Sequence, residues 1–188
     1  MEPHETRRVF VAVDLTDDVR HGLAAHLDAV LDGDRLPGGS TPPPVNWHLT
    51  LRFLGKIGQG AYEGLLAQLD QADLGGPFDL QFGGLGAFPR PARATVLWLG
   101  TAGGTDELAD LAIAVEEAAV RSGAMPEERP FHPHVTLGRI RPPRDVRPLI
   151  ERVPPFPLSQ RVEAITVFES HLGGGPAVYE ILERFRLG

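Results

Sequence analysis

The chain has 188 residues, 42% of them hydrophobic, and a formal charge of −7, a composition that fits one globular domain with a sizeable core and excludes a disordered chain. It contains no Cys, which excludes disulfides, thiolate nucleophiles and Cys-bound zinc. The overall acidity gives no reason to expect nucleic acid, yet from Arg129 to Arg147 five arginines (Arg129, Arg139, Arg141, Arg144 and Arg147) stand against Asp145 alone, a cluster suited to a small anionic group or to a solvated loop.

The opening MEPHETRRVF is charged and runs straight into an apolar stretch. It has no signal-peptide core, and no segment of the chain is long and apolar enough to span a bilayer, so a cytoplasmic protein without membrane partners is expected. RRVFVAVDL, residues 7–15, is a β-branched strand, and Thr16, Asp17 and Asp18 supply a helix start. Val19, Leu23, Leu27 and Val30/Leu31 recur at helical spacing and predict a helix over about 17–31, after which DGDRLPGGSTPPP forms a long loop. A strand through VNWHLTLRFLG, a helix near 61–72 and a strand in FDLQFGGLGAF follow.

From Ala94 the order restarts. ATVLWLG is a strand, 105–121 a helix with Leu108, Leu111, Ala112, Val115, Ala118 and Ala119 on one face, and HVTLGRI a strand. A short helix around 145–152 and strands in VEAITVFES and AVYEILERF complete the chain. Aligning Val9 with Val96 leaves 39 residues to His48 and 38 to His134, which predicts an approximate internal repeat of 7–90 and 94–187 inside one bilobal domain spanning 1–188. The expected fold is α+β, with two pseudo-symmetric lobes. Each is a mainly antiparallel sheet with helices on its outer face, and the active-site cleft lies between the sheets.

Each half carries a His-x-Thr-Leu: WHLTL at 47–51 and PHVTL at 133–137. A strand alternates its faces, so His48 and Thr50 point one way while Leu49, Leu51 and Phe53 point to the core; His134 and Thr136 are split likewise from Val135 and Leu137. One such motif alone reads as an ordinary strand histidine beside a Thr. Two on equivalent strands of facing lobes read as a site for cleaving a phosphodiester with no metal or cofactor. A neutral imidazole takes a proton from water and a protonated one gives a proton to the departing alkoxide, since a pKa near ~6.5 allows both states. The Thr hydroxyls bond the non-bridging oxygens.

The blocks RVFVAVDL, HLTLRFLG, ATVLWLG, RPFHPHVTLGR and FESHLGGGPAVYEIL, spread over essentially the whole chain, resemble the two-histidine phosphoesterase superfamily, within it the RNA 2′,3′-cyclic phosphodiesterase (2′-5′ RNA ligase) family. The resemblance implies RNA ends with a 2′,3′-cyclic phosphate as substrate. It implies that His48 is the proton donor to the 3′ oxygen, that His134 is the proton acceptor activating water, and that the product is a 2′-phosphate. Reverse 2′-5′ ligation is expected as a side activity.

Arg139 ends the most specific block and is expected at the phosphate or backbone, although a regular strand would turn it away unless a bulge at Gly138 redirects it. Arg52 shares the parity of His48 and Thr50 and is a candidate cleft residue. Phe131, like Trp47, flanks a motif and is a candidate to stack a base. Trp98, in a strand that repeats the FVAV of the first lobe, reads as core and His132 as structural, and Ser170 and Tyr179 fall in family-like blocks without a readable role. The alternatives are a phosphodiesterase for another cyclic nucleotide or 2′-5′ oligoadenylate, and a non-catalytic RNA- or nucleotide-binding module. A monomer is expected.

Overall fold

In a computed structural model the apolar runs and breaks become β1 (Thr6–Asp14), α1 (Asp17–Leu31), β2 (His48–Gly58), α2 (Gln59–Asp70), β3 (Phe78–Phe88), β4 (Ala94–Gly103), α3 (Thr105–Arg121), β5 (Val135–Arg144), α4 (Arg147–Arg152), β6 (Ser159–Val162), β7 (Ala164–His171) and β8 (Val178–Arg186). The structure describes residues 6–31 and 40–188. Most of the predicted loop after α1, and the side chains of Val30 and Leu31, lie outside the described residues.

The eight strands form one sheet in the order β6-β3-β4-β5-β2-β1-β7-β8, with antiparallel neighbours throughout. The order is a palindrome of the predicted repeat. Outward from the β5/β2 seam, one half runs β5, β4, β3, β6 and the other β2, β1, β7, β8. The third strand of the first repeat and the fourth of the second are exchanged: β3 pairs with β4, and β7 pairs with β1. The two lobes are therefore half-sheets of one continuous sheet, and neither is made from a single contiguous half of the chain. Among the described residues they meet at one register pair, Leu49 with Val135.

Alternation within the strands separates two faces. Val9, Val11 and Val13 of β1, Leu49 and Leu51 of β2, Leu97 and Leu99 of β4 and Val135 and Leu137 of β5 join residues of α1, α2 and α3 in one apolar core that runs under both half-sheets. Phe10, Ala12 and Phe168 lie on the opposite face in a separate small cluster. Each fully buried aliphatic side chain contributes about 1.5–3 kcal/mol of hydrophobic stabilisation, so the helix-covered face holds the fold and leaves the other face available for chemistry.

The registers also fix how the repeats superpose. Ala12 pairs with Thr50 and Trp98 with Thr136, so Ala12 is the counterpart of Trp98, and Phe10 rather than Val9 is the counterpart of Val96. Each motif strand carries an extra, unpaired residue at the same place. Val11 and Ala12 face Arg52 and Thr50, skipping Leu51; Leu97 and Trp98 face Gly138 and Thr136, skipping Leu137. These are β-bulges, which reset the alternation beyond them.

Candidate active site

The Leu49–Val135 pair sets the two motifs side by side at the seam. Because the strands are antiparallel, His48 lies on the Thr136 side and Thr50 on the His134 side, so the two imidazoles and two hydroxyls surround the junction. The histidines are close enough that the charge of His134 acts on His48.

Both rings are oriented in the same way. His48 Nδ1 lies 2.7 Å from the Asn46 carbonyl oxygen, and His134 Nδ1 lies 2.7 Å from that of His132. A carbonyl only accepts, so each Nδ1 carries the proton and donates it, and in the neutral ring Nε2 holds the lone pair. The Nε2 of His48 is 3.0 Å from Thr50 Oγ1. Among the described residues the Nε2 of His134 has no hydrogen-bond partner. The orienting role of the residues two before each histidine, Asn46 and His132, is not legible in the sequence, because a backbone carbonyl leaves no mark on residue type. The one available clue was the proline two further back in each half, Pro44 and Pro130.

Burial lowers the pKa of His48 from its ordinary value to about 4, against the raising effects of the Asn46 carbonyl and Asp14. His134 is lowered as well, chiefly by burial, with contributions from His132 and Arg139. Both rings are therefore neutral at pH 7, and an anion bound near His48 would raise its proton affinity.

The bulges decide which neighbours join the site. Arg52, expected in the cleft, points to the helix face instead: its Nε is 2.6 Å from Glu116 of α3, its guanidinium reaches Glu127 at 3.4 Å, and it donates to the Met125 carbonyl. Phe53, expected in the core, emerges on the site face, 55% exposed, with its ring 5.5 Å from Phe10. The same reset at Leu137, one residue before the bulge position considered in the sequence, turns Arg139 to the site face. There its charge acts on both His134 and Tyr179, while its backbone N–H and C=O pair with Ser40 at 2.9 and 3.0 Å.

The aromatic expectations also change. Phe131 is half-buried against the main core, and Trp47 is buried in it, which argues against either as a base platform. Trp98 is not core. It lies on the site face with its ring centroid 4.9 Å from His132, 5.3 Å from Phe88 and 6.2 Å from His134. On the other side His48 stands 4.8 Å from Phe10 and 5.3 Å from Tyr179, and Phe10 stacks on Phe168 at 5.1 Å. Tyr179, whose role could not be read from the sequence, is thus a wall of the His48 side.

Beside His48 a pocket of about 240 Å³ opens, lined among others by Asp14, Arg20, Asn46, Phe168, Tyr179 and Arg184. Arg184 and Arg20 both bond Asp14. Its aromatic walls and arginines suit a nucleotide. Groups able to share a metal lie elsewhere: Glu169, His171 and Glu180 bring ligand atoms within 4.8 Å of one another, but Glu169 is held by Arg7 at 2.7 Å and His171 by Glu180 at 3.0 Å.

Known proteins share this arrangement of elements. The family pattern described as the 2'-5' RNA ligase superfamily matches residues 9–174. An RNA 2′,3′-cyclic phosphodiesterase of Aeropyrum pernix is 39% identical over 106 residues, 56% of this chain and 60% of that one. One of Methanothermobacter thermautotrophicus is 31% identical over 186 residues, 96% of this chain and 98% of that one. The crystal structure of Escherichia coli LigT complexed with 3′-AMP superposes with a TM-score of 0.79 at 30% identity, covering 97% of this chain and 99% of that one.

Proposed function

The chain belongs to the 2'-5' RNA ligase superfamily, and from that membership we propose that it hydrolyses RNA 2′,3′-cyclic phosphodiester ends to 2′-phosphomonoesters. The observation that carries this reading is the pair of imidazoles at the Leu49–Val135 seam, each with Nδ1 on a backbone carbonyl and Nε2 turned to the site. Such a pair can hold one proton donor and one proton acceptor at opposite sides of a phosphorus atom, which is what in-line displacement needs.

His134 Nε2 is the base: it takes a proton from water as the water oxygen bonds to phosphorus. His48 is the acid: it gives its Nε2 proton to O3′ as the P–O3′ bond breaks. Thr50, Thr136 and Arg139 bond the non-bridging oxygens and stabilise the charge that gathers on them in the pentacoordinate transition state. Chemistry of this kind calls for no metal or cofactor, and the reading takes the protein to be a cytoplasmic monomer, with RNA ends as its partner.

The test is to incubate the protein in excess chelator with an RNA ending in a 2′,3′-cyclic phosphate and to identify the product end. A 2′-phosphate made by the wild type and lost in both His48→Ala and His134→Ala supports the assignment. Unchanged turnover in either variant rejects it, and binding without turnover in the wild type favours a non-catalytic module.

A further inference from the structure

The two sides of the seam are built differently, although the strands superpose. On the His48 side, Ala12 occupies the position equivalent to Trp98, and the aromatic rings of Phe168 and Tyr179 line a recessed pocket, with the ring of Phe10 packed against both. On the His134 side the site face carries the indole of Trp98 with Phe88 and the exposed ring of His132.

That indole has a prepared bed. A Cβ added at Gly86 would meet the Trp98 ring at 2.1 Å, and one at Gly100 would meet it at 3.1 Å. Glycine in the GGLGAF stretch of β3 is therefore what lets the ring lie on the neighbouring backbone. An aromatic wall built in this way, beside a catalytic group and part-exposed, has the properties of a stacking surface for a base.

Its border carries charge of one sign. Arg90 and Arg93 belong to the turn between β3 and β4, and Arg141 and Arg144 to the far end of β5. The pairing of Ala94 with Arg144 and the bond from the Val146 N–H to the Pro91 carbonyl bring these segments together. All four arginines are exposed, and none has an ion-pair partner among the described residues. In a chain of net charge −7 this is a local attraction for a polyanion.

We propose that the Phe88–Trp98–His132 wall and its arginine border receive a second RNA strand by its 5′-hydroxyl end, the acceptor for 2′-5′ bond formation. The inference rests on the reaction proposed above. In-line displacement puts the nucleophile on the His134 side and O3′ on the His48 side, so a strand replacing water must approach over Trp98. Its O5′ bonds to phosphorus, its hydroxyl proton passes to His134 Nε2, the P–O3′ bond breaks, and O3′ takes the proton of His48. The recessed pocket at His48 then belongs to the nucleoside that bears the cyclic phosphate.

The experiment measures a partition ratio. An end-labelled RNA with a 2′,3′-cyclic phosphate is incubated with a 5′-hydroxyl oligonucleotide, and the 2′-phosphate and 2′-5′-linked products are quantified from the same tube. The ratio of linked to hydrolysed product should rise with acceptor and saturate, whereas methanol should give a linear and much smaller yield. Trp98→Ala and the double variant Arg141→Glu/Arg144→Glu should each lower the ratio about tenfold or more. Because both products arise at one site, losses of folding or of His134 activity cancel in the ratio. The exposed arginine pair tests the idea even if removal of the indole unfolds the protein. A ratio unchanged in the variants, or an oligonucleotide acceptor no better than methanol, overturns the proposal. Absence of 2′-phosphate from the wild type would instead overturn the hydrolytic reading beneath it.

Discussion

Leu49 pairs with Val135, and no other register pair joins the two half-sheets among the described residues. The catalytic groups sit on either side of this thin seam, so each histidine is held by its own half-sheet and its own carbonyl. Relative placement comes from the common core beneath, to which both Leu49 and Val135 contribute at 0% exposure.

Removing either imidazole should abolish one proton transfer while leaving the fold. His48→Ala and His134→Ala are each expected to lower kcat for a 2′,3′-cyclic phosphate end by about 10²–10⁴-fold, the usual contribution of a positioned acid or base. Steady-state kinetics with a circular dichroism control checks this, and near-wild-type kcat in a folded variant counts against the role of that residue.

The pH dependence of catalysis follows from burial. Both histidines protonate below their ordinary value of 6.5, while the reaction needs His48 charged and His134 neutral. The optimum of kcat/KM should therefore lie on the acid side of pH 6.5. The optimum of kcat should be displaced upward from it, since a bound phosphodiester anion raises the affinity of His48 for its proton. Profiles with coincident optima would contradict this coupling.

Stability should respond to the same buried ring. His48 takes up its proton near pH 6.5 in the unfolded chain and at about 4 in the fold, so between those values the unfolded state binds more protons. Its contribution is full above pH 6.5 and is lost as the pH falls to about 4, an effect on the order of 3 kcal/mol. Replacing His48 by Asn should flatten the fall of Tm across that window, whereas an unchanged slope would show that His48 is not its source.

Arg139 and Arg52 should behave oppositely. Arg139→Ala is expected to cut kcat/KM by about 10–100-fold with little change in Tm, having lost a charged donor to the phosphate. Arg52→Ala leaves Glu116 without its guanidinium, while Glu127 keeps Arg129, and because both carboxylates are partly exposed it should lower stability by about 1–2 kcal/mol, with KM for substrate little affected. Thermal melts beside kinetics separate the two, and exchanged phenotypes would reverse the assignments.

Gly86→Ala places a methyl group in the bed of Trp98. The ring must shift or the strands part, which is expected to cost about 1–3 kcal/mol and to change the emission of Trp98, while Trp47 stays buried in the core. Unaltered fluorescence and Tm would show that the bed is not tight.

The α+β class, the two-lobed plan and the paired His-x-Thr strands were legible because they rest on local pattern: apolar period, turn residues and a repeated tetrapeptide. Arg52 and Phe53 depart from strand parity for one reason. At Leu51 the chain inserts a residue that only the pairing with β1 reveals, and alternation is reset beyond it. The same insertion at Leu137 explains why Arg139, which regular alternation would turn away, faces the site. Trp98 departs from the core position expected of an indole in an apolar strand because Gly86 and Gly100 make room for its ring on the other face. The exchange of β3 and β7 was hidden because a choice of partner strand is a tertiary matter that no single segment encodes.

That exchange has a consequence for synthesis on the ribosome. The strand beside β1 is β7, residues 164–171, which emerges some 150 residues after it. Until then the edge of β1 lies open, and Phe10 lacks the ring of Phe168 that packs behind His48. The His134 half gains β3, β4 and β5 in sequence and then lacks only its edge strand β6, whereas the His48 half waits for both β7 and β8 near the end of translation. A nascent or prematurely ended chain can thus display both histidines and still be unable to act on RNA.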